Sequence, residues 1–183
     1  MAIADHDEEI SRNPKNALPI VNRGITRHRL DDSENALADF NEAIALDPKL
    51  PDARLYRAFI RIENDELDKA IEDFAEVIRL NPMEGAAFET LALIRAVSSE
   101  PRFRNGPLAI EYATKACALG NWKNDASLEV LACAYVEAGQ FDEAKKRLQQ
   151  AIDLAPKKDV ETRAQMMKLF NERKPYHEEP KAK

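Results

Sequence analysis

With 183 residues, of which 44% are hydrophobic and a third charged, the chain can bury one or two cores; five glycines and a Leu-, Ala-, Glu-, Lys- and Arg-rich composition read as all-helical. A formal net charge of −6 argues against general nucleic-acid binding, because phosphate affinity rests on clustered Lys and Arg; the densest cluster, Lys145, Lys146 and Arg147 followed by Lys157 and Lys158, reads as solvated helix face. No apolar run approaches the ~18–20 residues that cross a bilayer, and the acidic stretch Met1–Ile10 lacks a signal-peptide layout, so no membrane partner and a cytoplasmic location are expected.

From the N-terminus, residues 1–14 read as the tail of a second helix, so the chain starts partway through a repeat. Residues 17–50 and 51–84 follow as complete helix pairs. The X-Pro pairs Asn13-Pro14, Asp47-Pro48 and Asn81-Pro82 stand 34 residues apart, and Asn35–Pro48 aligns without gaps on Lys69–Pro82. In the second pair Leu55, Ala58, Phe59 and Ile62 form one helical stripe and Leu67, Ala70, Ile71, Phe74 and Ile78 another, across the turn Glu63–Glu66. The proline ends each second helix, since the residue before it is pushed out of the α region. Residues 85–123 form a variant pair in which 98–107 inserts about five extra residues, with Pro107 suited to the first turn of the next helix. Residues 125–158 make a fourth pair. Residues 159–173, with Ala164, Met167, Leu169 and Phe170, read as a helix covering the last pair's open face, and 175–183 as a flexible tail.

These residues resemble the tetratricopeptide repeat family, whose 34-residue unit places small residues where two helices cross, an aromatic on the second helix and a terminal proline. Gly24, Ala36, Phe40, Ala43 and Pro48 carry the likeness in the first pair, and Ala58, Ala70, Phe74 and Pro82 in the second. Leu128, Leu131, Ala132, Tyr135, Gly139, Phe141, Ala144, Ala151 and Pro156 carry it in the fourth. The stretch from Arg102 through Trp122 is similar to a variant unit of some bacterial members. The resemblance implies an all-α fold, a right-handed α-solenoid of four helix hairpins with a C-terminal capping helix, forming one domain over 1–174.

Catalytic, cofactor and metal-binding constellations are missing from the pattern. His6, His28 and His177 have no partner spacing for a metal or a nucleophile–base pair, and no phosphate loop or GxSxG elbow occurs, so neither an enzyme nor a cofactor is expected. Cys117 and Cys133 show no CxxC spacing and read as small buried hydrophobes. Arg23 and Arg57 recur in register on the first helices, as Asp39 and Asp73 do on the second, and the later pairs lose both partners together: Leu91 stands with Tyr112, and Leu131 with Arg147. A bidentate Arg–carboxylate bridge inside each of the first two hairpins is expected.

The resemblance further implies a concave groove lined by first helices. By register its lining is Asn22, Ile25 and Arg29, then Asp52, Tyr56, Phe59 and Glu63, then Glu89, Leu93 and Ala96, and finally Glu129, Val130, Cys133 and Val136. An apolar floor of Ile25, Tyr56, Phe59, Leu93 and Val136 suits an amphipathic helix or extended segment of an unidentified protein partner, with Phe59→Glu as a probe that should spare the fold. The Lys, Asn and Arg clamp with which chaperone-binding members grip a terminal carboxylate is absent, its positions holding Val21, Ile25, Tyr56, Ala86 and Thr90. Arg102, Phe103 and Arg104 in the insertion are either a recognition loop or a plug with arginines on local carboxylates. Self-association through the terminal repeats, or service as an accessory domain of a larger signalling or secretion protein, are the alternatives.

Overall fold

A computed structural model describes residues 3–177: ten α-helices and one 3-10 turn, with no strand among the described residues. The chain gathers into two compact units that divide between Glu84 and Gly85, where the sequence pattern reads as one array. No described helix is long and apolar enough to cross a membrane.

The first unit holds α1 (Ile3–Arg12), α2 (Ala17–Arg29), α3 (Ser33–Leu46), α4 (Pro51–Glu63) and α5 (Leu67–Leu80). Each hairpin turn is three residues long and closes by one device. After α2, Asp32 N donates to Arg27 O and Asp31 N to His28 O, with Asp31 left-handed at φ 61°; after α4, Glu66 N donates to Arg61 O around Asp65 at φ 63°. These paired bonds satisfy the orphan carbonyls of the first helix and aim the chain into the second. Between hairpins, Asp47 and Asn81 accept from the backbone N–H two residues on, turning the chain ahead of the next helix. The core joins Ile20 and Val21 of α2 to Ala36, Phe40 and Ala43 of α3 and to Ala53 and Ile60 of α4. Small residues let the helices close: a Cβ on Gly24 would lie 2.7 Å from the Phe40 ring. His6 stands 34 residues before Phe40, in the register of the second-helix aromatic, and is likewise buried. Thus α1 supplies the second-helix surface against which α2 packs.

The second unit holds α6 (Gly85–Val97), α7 (Gly106–Leu119), α8 (Asp125–Glu137), α9 (Phe141–Leu154) and α10 (Val160–Asn171). The insertion folds onto its own hairpin. Phe103, at the end of the 3-10 turn Pro101–Phe103, is buried; Arg95 Nη1 donates to its carbonyl at 3.0 Å, and Asn105 N donates to Arg95 O. Arg104 reaches Ser98 O and lies 3.4 Å from Glu137, while Arg102 pairs with Glu100 and lies over the Phe103 ring. Of the two readings of the insertion, the plug describes these contacts. Helix α7 starts at Gly106, two residues before the resumption at Leu108 that the apolar pattern marks, because Asn105 caps it and Pro107 fits its first turn. A Cβ on Gly106 would stand 2.6 Å from Ala138 N, so glycine lets the α7 start meet the end of α8.

Two terminal expectations need correction. Helix α10 buries Arg163, Met166 and Phe170, whereas Ala164 is exposed and Met167 and Leu169 are only partly covered. Part of the expected flexible tail is also packed: Tyr176 lies against the core of the unit and His177 Nε2 is 2.8 Å from Glu137. The rest of the tail, 178–183, and residues 1–2 fall outside the described residues.

Candidate functional site

In the first unit the first helices are held by arginines. Arg57 of α4 grips Asp73 of α5 through Nε at 2.8 Å and Nη2 at 2.6 Å, and its Nη1 donates to Asn41 of α3 at 2.6 Å. Arg23 of α2 repeats the pattern, with Asp39 of α3 on one side and Asp7 of α1 at 2.8 Å on the other. Asp7 and Asn41 are themselves 34 residues apart. The expected bridge is therefore present and also extends to the preceding second helix, tying three consecutive helices together. Further guanidiniums converge on the same carboxylates: Arg27 on Asp39 at 2.7 Å, and Arg54 and Arg61 on Asp73. Hydrogen bonding to Asp39, against the cost of burial and with help from Asp7, holds the Arg23 pKa above its ordinary value.

This bracing sets the surface that the first helices present. On α2, Asn22 and Arg29 are exposed and Ile25 half-buried; on α4, Asp52 and Glu63 are exposed and Tyr56 and Phe59 half-buried. His28 Nε2 lies 3.5 Å from Glu63 across the two helices. The aromatic rings are partly committed inward: Tyr56 stacks on Phe40 with centroids 6.0 Å apart, and Phe59 meets Phe74 edge-on at 5.3 Å. Phe59→Glu would disturb that core pair, contrary to its expected use as a probe that spares the fold.

In the second unit the expected lining is largely occupied. Leu93 is exposed, but Ala96 is buried, and Glu89 accepts a hydrogen bond from Ser127 Oγ. Val130, Cys133 and Val136 are only 8%, 5% and 4% exposed, and they belong to one apolar cluster with Ala92 of α6 and Met166 and Phe170 of α10. Glu129 is held by Arg163. These four side chains do not line an open surface, because α10 and α6 bring in apolar groups and an arginine that they satisfy. The sequence pattern missed Arg163; the signal available was an arginine on the buried stripe, three residues before Met166 and seven before Phe170.

Burial pushes the Cys117 thiol up to about 11 and the Cys133 thiol up to about 12. Both cysteines are expected to resist a thiol reagent at pH 8 in the native protein and to react at one common, much faster rate once it is denatured; rapid native labelling of Cys133 would show that the α8 packing opens readily. No group of three or more His, Cys, Asp or Glu among the described residues could hold a metal ion.

Helix hairpins repeated in fixed register, with buried contacts between neighbours, make this a helical-repeat protein. The chain belongs to the tetratricopeptide repeat family: two models of that repeat match, at residues 21–84 and 126–158, together just over half of the chain. No curated protein matches by sequence. Solved structures similar to it include YrrB, described as a TPR protein with an unusual peptide-binding site, at a TM-score of 0.79 and 20% identity over 94% of this chain and 86% of that one. A tetratricopeptide repeat protein from Parabacteroides merdae gives 0.75 and 22% over 94% and 68%. MamA gives 0.70 and 22% over 86% and 89%. At these identities the likeness is one of fold. Tetratricopeptide repeat proteins are generally non-enzymatic scaffolds for protein partners, and this chain has their repeats and hairpins.

Proposed function

We propose that the chain is a protein-interaction scaffold that receives a peptide or helix of its partner across the first-helix face of the first unit, α2 and α4. One observation carries this reading. Nearly every arginine in the neighbourhood is paired, yet Asn22, Arg29 and Asp52 stand exposed with no side-chain partner among the described residues, beside half-buried Ile25, Tyr56 and Phe59. An apolar strip edged by unpaired groups of both signs suits an amphipathic helix or an extended segment with apolar anchors. The peptide-binding site named for YrrB, a protein of like fold, is consistent with such use. Of the residues expected to continue the lining in the second unit, only Leu93 is well exposed and without a described polar partner to lose, so the first unit carries the site. A terminal-carboxylate clamp is not part of the proposal, because its positions hold apolar and small residues.

The test is selection of short random peptides on the wild-type protein, followed by affinity measurement on the Asn22→Glu/Arg29→Glu variant. Both side chains are exposed, so circular dichroism should not change, while binding should weaken at least tenfold, or by more than about 1.4 kcal/mol. Selected peptides that bind the variant as tightly as the wild type would place the site elsewhere.

A further inference from the structure

The hairpins let one surface be compared with itself along the chain. The seventh residue of the second helix is Asp39 in α3 and Asp73 in α5, a buried carboxylate on which arginines converge. In the second hairpin the surrounding positions close the set: Arg54 lies 3.7 Å from Asp73, and Arg79 pairs with Glu76 at 2.7 Å. In α9 the seventh residue is Arg147, and the equivalents of Arg54, Glu76 and Arg79 are Leu128, Gln150 and Asp153. The ionic set is gone. A cleft of about 420 Å³ stands in its place, walled by these residues with Trp122 and Leu154.

Arg147 is unpaired there. Its Nη1 donates to Gln150 at 3.0 Å, its Nε is buried without an acceptor, and no carboxylate lies within ion-pair distance among the described residues. This corrects the reading of Lys145–Arg147 as a solvated face: Lys145 and Lys146 pair with Asp142 and Glu143, but Arg147 turns inward over the Trp122 ring, 5.4 Å from its centroid. The indole itself is 42% exposed and is presented by a backbone that an aromatic residue rarely adopts, with Asn121 at φ 51° and Trp122 at φ 58°. Trp122 N donates to Cys117 O and Asn121 N to Ala118 O, so the end of α7 fixes the backbone that presents the ring.

We propose that this cleft binds an acidic peptide side chain flanked by apolar ones, its carboxylate on the Arg147 guanidinium and its apolar neighbours on Trp122, Leu128 and Leu154. A half-buried guanidinium with free donors and a stacked aromatic selects a planar carboxylate. The apolar walls select a ligand carrying more than charge, and Trp and Arg are both enriched among the residues that carry binding energy at interfaces. Asp153 in the same wall, holding Gln149 at 2.9 Å, opposes a phosphate dianion more strongly than a single carboxylate and offers an acceptor to a peptide N–H. Peptide is therefore favoured over phosphate. This site is independent of the α2 and α4 face, and a fault in either leaves the other standing.

Trp122 is the sole tryptophan, so its fluorescence reports the cleft directly. The protein is titrated with the capped pentapeptide Ac-Gly-Leu-Glu-Leu-Gly-NH2, with its Gln counterpart, and with inorganic phosphate. The expected result is a saturable change with the Glu peptide that is at least tenfold weaker with the Gln peptide and at least tenfold weaker in Arg147→Gln. Equal response to the Gln peptide, saturation by phosphate at the same concentration, or no response to the Glu peptide in the millimolar range each overturns the proposal. The two peptides are compared on the native protein, so the result stands even if Arg147→Gln folds poorly.

Discussion

Replacing Asp73 with alanine is expected to destabilise the first unit by roughly 3–5 kcal/mol, the range for stripping one partner from a buried ion pair. The carboxylate is almost wholly buried and receives Arg57 and Arg61 at 2.6 Å and Arg54 at 3.7 Å. Its removal leaves guanidiniums, themselves less than a fifth exposed, facing one another without a counter-charge. Arg57 would keep only its bond to Asn41, so part of the cost falls on the packing of α4 against α3 as well as on the α4–α5 hairpin. Chemical denaturation followed by circular dichroism, with hydrogen exchange resolved to α4 and α5, measures the loss. The chain also contains the control. In the α6–α7 hairpin the same two positions hold Leu91, fully buried, and Tyr112, which packs against Phe88 at 6.0 Å. An Arg57→Leu/Asp73→Tyr double variant should recover part of the lost stability, because it removes the Arg57 charge together with its partner, while Arg54 and Arg61 stay without the Asp73 counter-charge. A cost below about 1 kcal/mol for Asp73→Ala would mean that the arginines reach water easily and the bridge is a surface contact.

The residues that made the fold legible are the ones repeated in register. X-Pro pairs, small crossing residues and second-helix aromatics report local geometry, and local geometry is what one sequence can show. Even α1 is legible, since Asn13-Pro14 stands 34 residues before Asp47-Pro48. What stayed hidden depends on which side of a helix a distant element covers. Val130, Cys133 and Val136 carry the pattern of a first-helix face, and the placement of α6 and α10 decides that they are core. The buried face of α10 does not follow from hydrophobicity alone, because the stripe of Met166 and Phe170 includes Arg163. Arg147 was legible as a break in the Arg–Asp register, but nothing in the spacing said that it would stack on Trp122 instead of facing water.

Arg163→Met is expected to undock α10 at a cost of about 3–5 kcal/mol, even though methionine keeps most of the volume. The guanidinium is 2% exposed and ties three elements together: it bonds Asp125 and Glu129 at the start of α8, and its Nη1 reaches Ala155 O, at the C-cap of α9, at 2.6 Å. Without it Glu129 lies under the cap with no donor among the described residues, and Asp125 and the Ala155 carbonyl keep only Lys158. The same change should open the cluster that α10 shares with Val130 and Cys133, so Cys133 becomes reactive to a thiol reagent under native conditions and amide exchange in α10 accelerates; continued protection of Cys133 would show that Met166 and Phe170 hold the cap unaided. Acid should act on the same contact. Burial alone would raise the Asp125 carboxyl, but hydrogen bonds and charge from Lys158 and Arg163 outweigh it and hold its pKa below the usual carboxylate range. A carboxyl depressed in the folded state contributes stability above its unfolded pKa of about 4 and loses it as the pH falls through the folded value. Cap docking is therefore expected to be pH-independent near neutrality and to weaken below about pH 4. Asp125→Asn should lower stability at neutral pH while flattening that acid limb, and an unchanged limb would assign the acid response to other carboxylates.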